Sequence, residues 1–191
     1  MEALDFNLIL PKTHVAETRG KAYFLAGPIR GADDWQAEAV NILAHLDPGC
    51  TIICPCRWDS THPLSKYRIA SDGAKSDPYE SQTDWERHWI KHAAEHGCLI
   101  FWIPCESAAN PRPKEAGPYA RDTYGEIARY SQMISHEHKS FKMVIGADPH
   151  LPEGFGLKQI QTNLDGDFCC HYPIWPTLEK VLKRAVKYAY L

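Results

Sequence analysis

The sequence lacks both a long apolar run and a cluster of charges of one sign. No stretch reaches the roughly 18 consecutive apolar residues of a membrane-spanning helix, and the first residues lack the basic and then apolar pattern of a secretory signal. The 21 basic and 24 acidic side chains are dispersed along the chain, a pattern that does not favour a nucleic acid polymer or a membrane as partner. We therefore expect a soluble, cytoplasmic protein that binds a small molecule.

A dinucleotide-binding fingerprint is also absent. The loop Gly27-Pro-Ile-Arg-Gly31 lacks the third glycine and the spacing of that motif, so NAD is not implied and no cofactor is expected. Disulfides are not expected either, because the seven cysteines are odd in number and lie mostly in strand-like runs such as Ile52-Ile-Cys-Pro-Cys56. This distribution is typical of reduced core thiols.

The 191 residues suffice for one substantial core, so we expect one domain over residues 21–191, preceded by an N-terminal arm of residues 1–20. Apolar runs alternate along the domain with segments of helical periodicity. Strands are predicted at residues 21–26, 51–54, 98–103, 141–145 and 168–172. Helices are predicted from Asp33 or Asp34 to Leu46, from Thr83 or Asp84 to about His96, from Thr123 to about Ser135, and from Pro176 onward. The alternation predicts an α/β fold, a doubly wound Rossmann-like or flavodoxin-like sandwich with a parallel sheet of about five strands.

Ligands of such a fold bind outside the carboxyl ends of the strands. Three segments are expected at that edge: the loop Gly27–Gly31, the long irregular segment after Pro55, and residues 104–126. The main-chain N–H groups of the first loop, and of the helix that begins at Asp33 or Asp34, are expected to face an anionic or sugar ligand.

Glu126 is the first candidate for chemistry. The pattern Thr123-x-x-Glu126 at a helix start is typical of a capping box, in which the glutamate bonds back to the cap residue. The same position also aims a carboxylate at the binding edge of the sheet. A carboxylate kept ionised there by the helix N-terminus is suited to act as a nucleophile. The pattern itself leaves both interpretations open.

Five short motifs together resemble one known family. They are Tyr23-Phe-Leu-Ala-Gly-Pro-Ile, Pro55-Cys-Arg-Trp-Asp59, Gln82-Thr-Asp-Trp-Glu86, Leu99-Ile-Phe-Trp-Ile-Pro104 and Thr123-Tyr-Gly-Glu-Ile127. In this order, between about residues 21 and 145, they resemble the nucleoside 2-deoxyribosyltransferase-like superfamily. The resemblance implies that Glu126 is the nucleophile that attacks the sugar C1′. It also implies an acidic residue one helix earlier that contacts the base, which falls on Glu86, with Asp84 as the competing choice.

Further site residues follow from the same resemblance. Tyr23 matches a tyrosine whose hydroxyl lies near the nucleophile, although an ordinary core tyrosine is the alternative. Some relatives carry a sugar-contacting aspartate six residues before the nucleophile, where this chain has Ala120, whereas Asp122 lies only four residues before it. The residues expected to bind substrate are Gly27, Pro28, Ile29, Arg30, Gly31, Arg57, Asp59, Asp122 and Thr123.

The loop Gly27–Gly31 also resembles the phosphate loop of a subgroup, the 2′-deoxynucleoside 5′-monophosphate N-hydrolases. Arg30 would then pair with a 5′-phosphate through its planar guanidinium. Pro28 departs from that pattern, because proline has no N–H group to offer a phosphate. Relatives are homo-oligomers that share residues between subunits, so a homodimer or a larger homo-oligomer is expected.

The resemblance implies an enzyme that cleaves or transfers the N-glycosidic bond of a (deoxy)nucleoside or nucleoside 5′-monophosphate. A nucleotide-binding or sensing module of the same fold, without turnover, is the alternative. His88, His92 and His96 share a helical face and raise a third possibility, a metal site. No cysteine, aspartate or glutamate at suitable spacing completes a ligand set, so no metal is expected.

Overall fold

A computed structural model of the chain describes residues 5–71, 79–137, 140–151 and 156–191. It contains one parallel sheet of six strands in the order β1-β3-β2-β4-β5-β6. The strands are β1 Asn7–Ile9, β2 Ala22–Ala26, β3 Thr51–Ile53, β4 Gly97–Ile103, β5 Met143–Ala147 and β6 Ile174–Trp175. The helices are α1 Trp35–Leu46, α2 Gln82–His96, α3 Arg121–Gln132, α4 Leu157–Asp167 and α5 Leu178–Ala189. The predicted α/β fold is therefore confirmed.

Two apolar cores lie on opposite faces of the sheet. Helices α1 and α5 pack on one face, and α2, α3 and α4 pack on the other. Every residue of β2 is buried, as expected for a central strand of a parallel sheet that is covered on both sides. Its side chains alternate between the cores, so Tyr23 belongs to the first core and Phe24 to the second.

The N-terminal segment contributes to the sheet instead of standing apart from it. Residues 7–9 form the edge strand β1 and pair in parallel with β3. The part of the predicted arm that the structure describes therefore packs with the domain. Residues 1–4 lie outside the described residues.

The predicted strand at residues 168–172 is wrong. Cys169 has a φ of 53°, a left-handed conformation that interrupts an extended chain, and the strand at this edge of the sheet is β6 instead. Helix α4, which the sequence interpretation did not include, precedes this turn. It buries Ile160 and Leu164, four residues apart on one helical face.

Two predicted helix starts also require correction. Helix α2 is capped by Ser81, whose hydroxyl accepts a hydrogen bond from the Asp84 N–H, and not by Thr83 or Asp84. Helix α3 begins at Arg121 after Ala120, which is left-handed and provides no side-chain cap. Thr123 is therefore not a cap residue. The start of α1 is confirmed, since the Asp34 carboxylate accepts from the Ala37 N–H.

Within the described ranges, no helix has the length and apolar character that crossing a membrane requires.

Candidate active site

A cleft of about 700 Å³ opens at the carboxyl ends of β2 and β3. Its walls come from the three segments that were expected to meet there: residues 27–30, the start of the segment after Pro55, and residues 112–126, together with the first turn of α2. The charged residues of the lining are Arg30, Arg57, Glu86, Arg112, Glu115, Arg121, Asp122 and Glu126. Cations and carboxylates thus share one concave surface, a common property of ligand sites.

The loop after β2 lies close against β4. A Cβ added to Gly27 would come within 2.2 Å of the Trp102 carbonyl oxygen, so this position accepts only glycine. Trp35 Nε1 donates a hydrogen bond to the Pro28 carbonyl at 2.9 Å. These contacts fix the loop and place the exposed Ile29 and Arg30 at the cleft.

A second set of contacts joins that loop to the segment after β4. Ser107 donates its N–H to the Gly31 carbonyl at 2.7 Å and its hydroxyl to Asp33 Oδ1 at 2.5 Å. Arg112 Nε lies 3.0 Å from Glu106 Oε1, so a neighbouring carboxylate partly neutralises its charge. Two walls of the cleft therefore form one connected unit.

Glu126 lines the cleft from the second turn of α3, half-buried. Because the helix begins at Arg121, the predicted capping box with Thr123 is wrong. Burial, together with the nearby charges of Glu86 and Asp122, raises the pKa of Glu126 to about 7. This direction is opposite to the expectation that the helix N-terminus keeps the carboxylate ionised, because burial, the largest cause, disfavours the charged form.

Glu86 lines the same cleft from α2. Its Oε1 accepts a hydrogen bond from Gln82 Nε2 at 2.8 Å, and Gln82 Oε1 accepts one from Arg57 Nε at 2.6 Å. Burial raises the pKa of Glu86, while the Gln82 hydrogen bond and the Arg57 charge lower it.

Asp84, the competing candidate, is held outside the cleft. Ser81 Oγ donates to its carboxylate at 2.7 Å, and Arg87 lies 3.6 Å away. Both contacts hold the Asp84 carboxylate at the start of α2. Asp84 is not among the residues that line the cleft. The structure therefore favours Glu86 over Asp84 as the carboxylate that shares the cleft with Glu126.

Tyr23 lies away from the cleft, contrary to the prediction. Its side chain is fully buried in the core beneath α1 and α5, and its hydroxyl donates to Asp47 Oδ2 at 2.6 Å. Tyr190 donates to the other oxygen of Asp47 at 2.7 Å. Because Asp47 follows the end of α1, this network belongs to the amino-terminal edge of the sheet. Burial and the Asp47 contact raise the pKa of Tyr23.

The other predicted binding residues divide into two groups. Asp59 is occupied within its own loop, where Oδ1 accepts from both the N–H and the hydroxyl of Thr61. The Thr61 hydrogen bonds lower the pKa of Asp59, and it does not line the cleft. Thr123 lines the cleft from a buried position, and Asp122 lines it at the surface, 3.3 Å from Arg121 Nε.

The helix N-terminus at the cleft is that of α3, not that of α1. Asp34 caps α1, and its Oδ2 lies 3.1 Å from His62 Nε2, so a carboxylate already occupies that end. The α3 start, at Arg121 and Asp122, lines the cleft without a side-chain cap. The sequence predicted that main-chain N–H groups at the start of α1 would face the ligand. In the structure, the helix start that lines the cleft is that of α3.

Sequence reasoning missed several lining residues, namely Gln82, Thr83, Arg112, Glu115 and Arg121. Arg112, Glu115 and Arg121 lie in a segment that was expected at the site but that has no periodicity to indicate which side chains point inward. The position of Gln82 was predictable, because it precedes Glu86 by four residues and side chains at this spacing meet on one face of a helix.

The rings of the three histidines of α2 lie next to one another along one face of the helix. The rings of His92 and His96 are 4.6 Å apart, and His92 Nε2 lies 2.9 Å from Thr18 Oγ1. Burial lowers the pKa of His92 to about 4, with a further contribution from His96 and His88. Among the described residues, no group of three or more histidine, cysteine, aspartate or glutamate side chains is arranged to hold a metal ion.

Comparisons with protein-family models, curated proteins and solved structures find no match to this chain.

Proposed function

We propose that the chain cleaves or transfers the N-glycosidic bond of a nucleoside or nucleoside 5′-monophosphate. The observation that carries the proposal is the pairing of two half-buried carboxylates, Glu126 and Glu86, in one cleft at the carboxyl edge of the sheet. The resemblance of five motifs to the nucleoside 2-deoxyribosyltransferase-like superfamily agrees with this choice of residues.

Glu126 is the nucleophile of the proposed reaction. Cleavage of an N-glycosidic bond develops positive charge at C1′, which a nearby carboxylate stabilises and then captures as an ester. The C1′–N bonding pair leaves with the base, which hydrogen-bonds to Glu86 or takes its proton. Water or a second base then attacks C1′, and Glu126 leaves as a carboxylate. Attack by water makes the protein a hydrolase, and attack by a second base makes it a transferase.

Arginines at the cleft favour a substrate with an anionic group. Arg30 and Arg121 both line the cleft. Arg121 begins the uncapped helix α3, whose dipole also favours negative charge at this end. Pro28 lacks an N–H group, so main-chain contacts to a phosphate would come from other residues of the loop or from α3. A nucleoside 5′-monophosphate therefore fits this proposal better than an uncharged nucleoside. No cofactor takes part in the proposed reaction.

The test is release of free base. The protein is incubated with deoxynucleosides and their 5′-monophosphates, each alone and with a second free base, and the products are separated by chromatography. The proposal predicts free base or an exchanged nucleoside from wild type, and loss of both in Glu126→Gln. Glu95→Gln, on the exposed surface of α2, is the matched control and retains activity. Substrate binding without any base release would contradict the proposal and favour the binding-module alternative.

Assembly of subunits is part of the same proposal. We expect at least a homodimer, with residues of a second copy completing the cleft. Light scattering on the purified protein measures this, and the mass of a monomer would contradict it.

A further inference from the structure

Arg57, Gln82 and Glu86 form a chain of side-chain hydrogen bonds along one wall of the cleft. Arg57 Nε donates to Gln82 Oε1 at 2.6 Å, and Gln82 Nε2 donates to Glu86 Oε1 at 2.8 Å. Gln82 and Glu86 are four residues apart on α2, the spacing at which side chains of a helix meet. All three residues line the cleft.

Arg57 determines which way the Gln82 amide points. A guanidinium group only donates hydrogen bonds, so its partner must be the amide oxygen, and the amide NH2 is left for Glu86. In the flipped orientation, the amide NH2 would face the Arg57 N–H, which is also a donor. The amide oxygen would face the Glu86 carboxylate, which is also an acceptor. Gln82 Nε2 also lies 3.5 Å from the Pro55 carbonyl oxygen, which is compatible with the observed orientation alone.

The orientation of the amide makes the two oxygens of Glu86 inequivalent. Oε1 accepts the Gln82 N–H, so this oxygen stays unprotonated and a proton on the carboxyl group resides on Oε2. The charges of Glu86 and Arg129 also act on Glu126 and Tyr130 of α3, while that of Asp122 acts on Glu126 and that of Arg87 on Tyr130. Among the described residues, no hydrogen bond joins Glu126 or Tyr130 to Glu86. Oε2 is therefore the oxygen that is available to a ligand.

We propose that Gln82, oriented by Arg57, is a positioning residue that presents Oε2 of Glu86 to the base of the substrate. This inference rests on the proposed N-glycosidic reaction and extends it to the atom that contacts the departing base. Without the Gln82 contact, Glu86 rotates about its side-chain torsions and either oxygen meets the base. Gln82 itself makes no bond to the reacting atoms.

The test is an NMR titration of the Glu86 carboxyl carbon, which needs no turnover. Glutamate is labelled with 13C, and the signal of Glu86 is assigned by its loss in Glu86→Gln. Gln82→Met keeps the length of the side chain but removes the donor, so the acid dissociation constant of Glu86 should fall about tenfold. Gln159→Met is the matched control, since Gln159 makes the same kind of contact, to Asn163 at 2.9 Å, on the exposed side of α4. It should leave the Glu86 titration unchanged.

A double-mutant cycle tests the role of Arg57. Arg57→Met should raise the pKa of Glu86 in the wild-type background, because both the direct charge and the orientation of the amide are lost. In the Gln82→Met background the same change should have a smaller effect, because only the direct charge remains to be lost. Equal effects in the two backgrounds would contradict the role assigned to Arg57.

Kinetics distinguish positioning from simple stabilisation of α2. Gln82→Met should lower kcat about tenfold and move the pH dependence of kcat, whereas a structural role would lower only the thermal stability. An unchanged Glu86 titration in Gln82→Met would overturn this inference. Absence of base release by the wild-type protein would overturn the proposed function, and the separate NMR measurement keeps the two failures distinguishable.

Discussion

Glu86 and Glu126 line one cleft from two different helices, and the charge of Glu86 raises the pKa of Glu126. Burial acts in the same direction on both carboxyl groups. Within the part of the chain that the structure describes, Glu86 accepts a side-chain hydrogen bond from the Gln82 amide, and Glu126 accepts none. Because the charge of Glu86 acts on Glu126, the pH dependence of activity should reflect the ionisation of both groups.

The rate of the proposed reaction should rise with pH around neutrality. The nucleophile must be ionised, and the pKa of Glu126 is about 7, so kcat/KM should increase as the pH passes from 6 to 8. A rate measured across this range with a buffer of constant ionic strength checks the prediction. A rate that falls over the same range would indicate that Glu126 acts in its protonated form.

Glu126→Gln should stabilise the protein at alkaline pH. The folded-state pKa of about 7 lies above the ordinary value of 4.5, so the unfolded chain loses this proton first and stability falls as the pH rises from 4.5 through 7. At pH 8 the variant should gain on the order of 1–3 kcal/mol in unfolding free energy, and at pH 4 it should gain little. Urea unfolding of wild type and variant at both pH values measures the difference. An equal gain at pH 4 and pH 8 would contradict ionisation as the cause.

Glu86→Gln and Asp84→Asn should differ strongly in activity. Glu86 faces the cleft, so its loss should lower kcat by about 100-fold or more. Asp84 bonds to Ser81 and Arg87 at the start of α2, so Asp84→Asn should lower helix stability slightly and retain activity. Base release by the two purified variants gives the comparison. A larger loss in Asp84→Asn would reverse the assignment.

Tyr23→Phe should affect stability and leave catalysis intact. The change removes a buried hydrogen bond to Asp47 and leaves that carboxylate with one donor fewer, at a cost of about 1–3 kcal/mol. Tyr190→Phe removes the donor to the other oxygen of Asp47 from a more exposed position and should cost less. Thermal unfolding ranks the two variants, and the base-release assay checks that both are active. Loss of activity in a Tyr23→Phe protein that remains folded would place the hydroxyl at the reaction after all.

The lowered pKa of His92 should make the folded protein less stable in mild acid. Its folded-state pKa of about 4 lies below the ordinary 6.5, so the unfolded chain takes up a proton that the folded chain excludes, and stability falls as the pH drops from 6.5 towards 4. Glu126 acts in the opposite direction over part of this range, so the measured quantity is the difference between His92→Gln and wild type at each pH. That difference should become more favourable to the variant on acidification. A constant difference would contradict the prediction.

The fold and the location of the cleft were predictable from the sequence, because apolar runs and helical periodicity are local signals. The strongest runs became β2, β4 and β5, and the parallel topology then brought the correct loops to one edge. Individual contacts were less predictable. The partner of the Tyr23 hydroxyl is Asp47, 24 residues away in sequence. The pattern at Thr123 resembles a cap although α3 begins earlier, at Arg121.

The polar organisation of the cleft is the part that sequence reasoning could not reach. Arg57 and Gln82 come together across 25 residues, through a segment with no period to fix its path. The pKa of Glu126 depends on how much of it packing buries, which no local pattern encodes. Residues 72–78 of the predicted long loop lie outside the described residues.

The most direct test of the central claim is the search for a glycosyl ester on Glu126. Wild-type protein is mixed with the substrate that releases base, quenched in acid within the first turnover, digested, and mapped by mass spectrometry. We predict that the peptide containing Glu126 gains the mass of one deoxyribosyl or deoxyribosyl phosphate group, and that Glu126→Gln does not. Base release with that peptide unmodified, or with the sugar found on Glu86, would contradict Glu126 as the nucleophile.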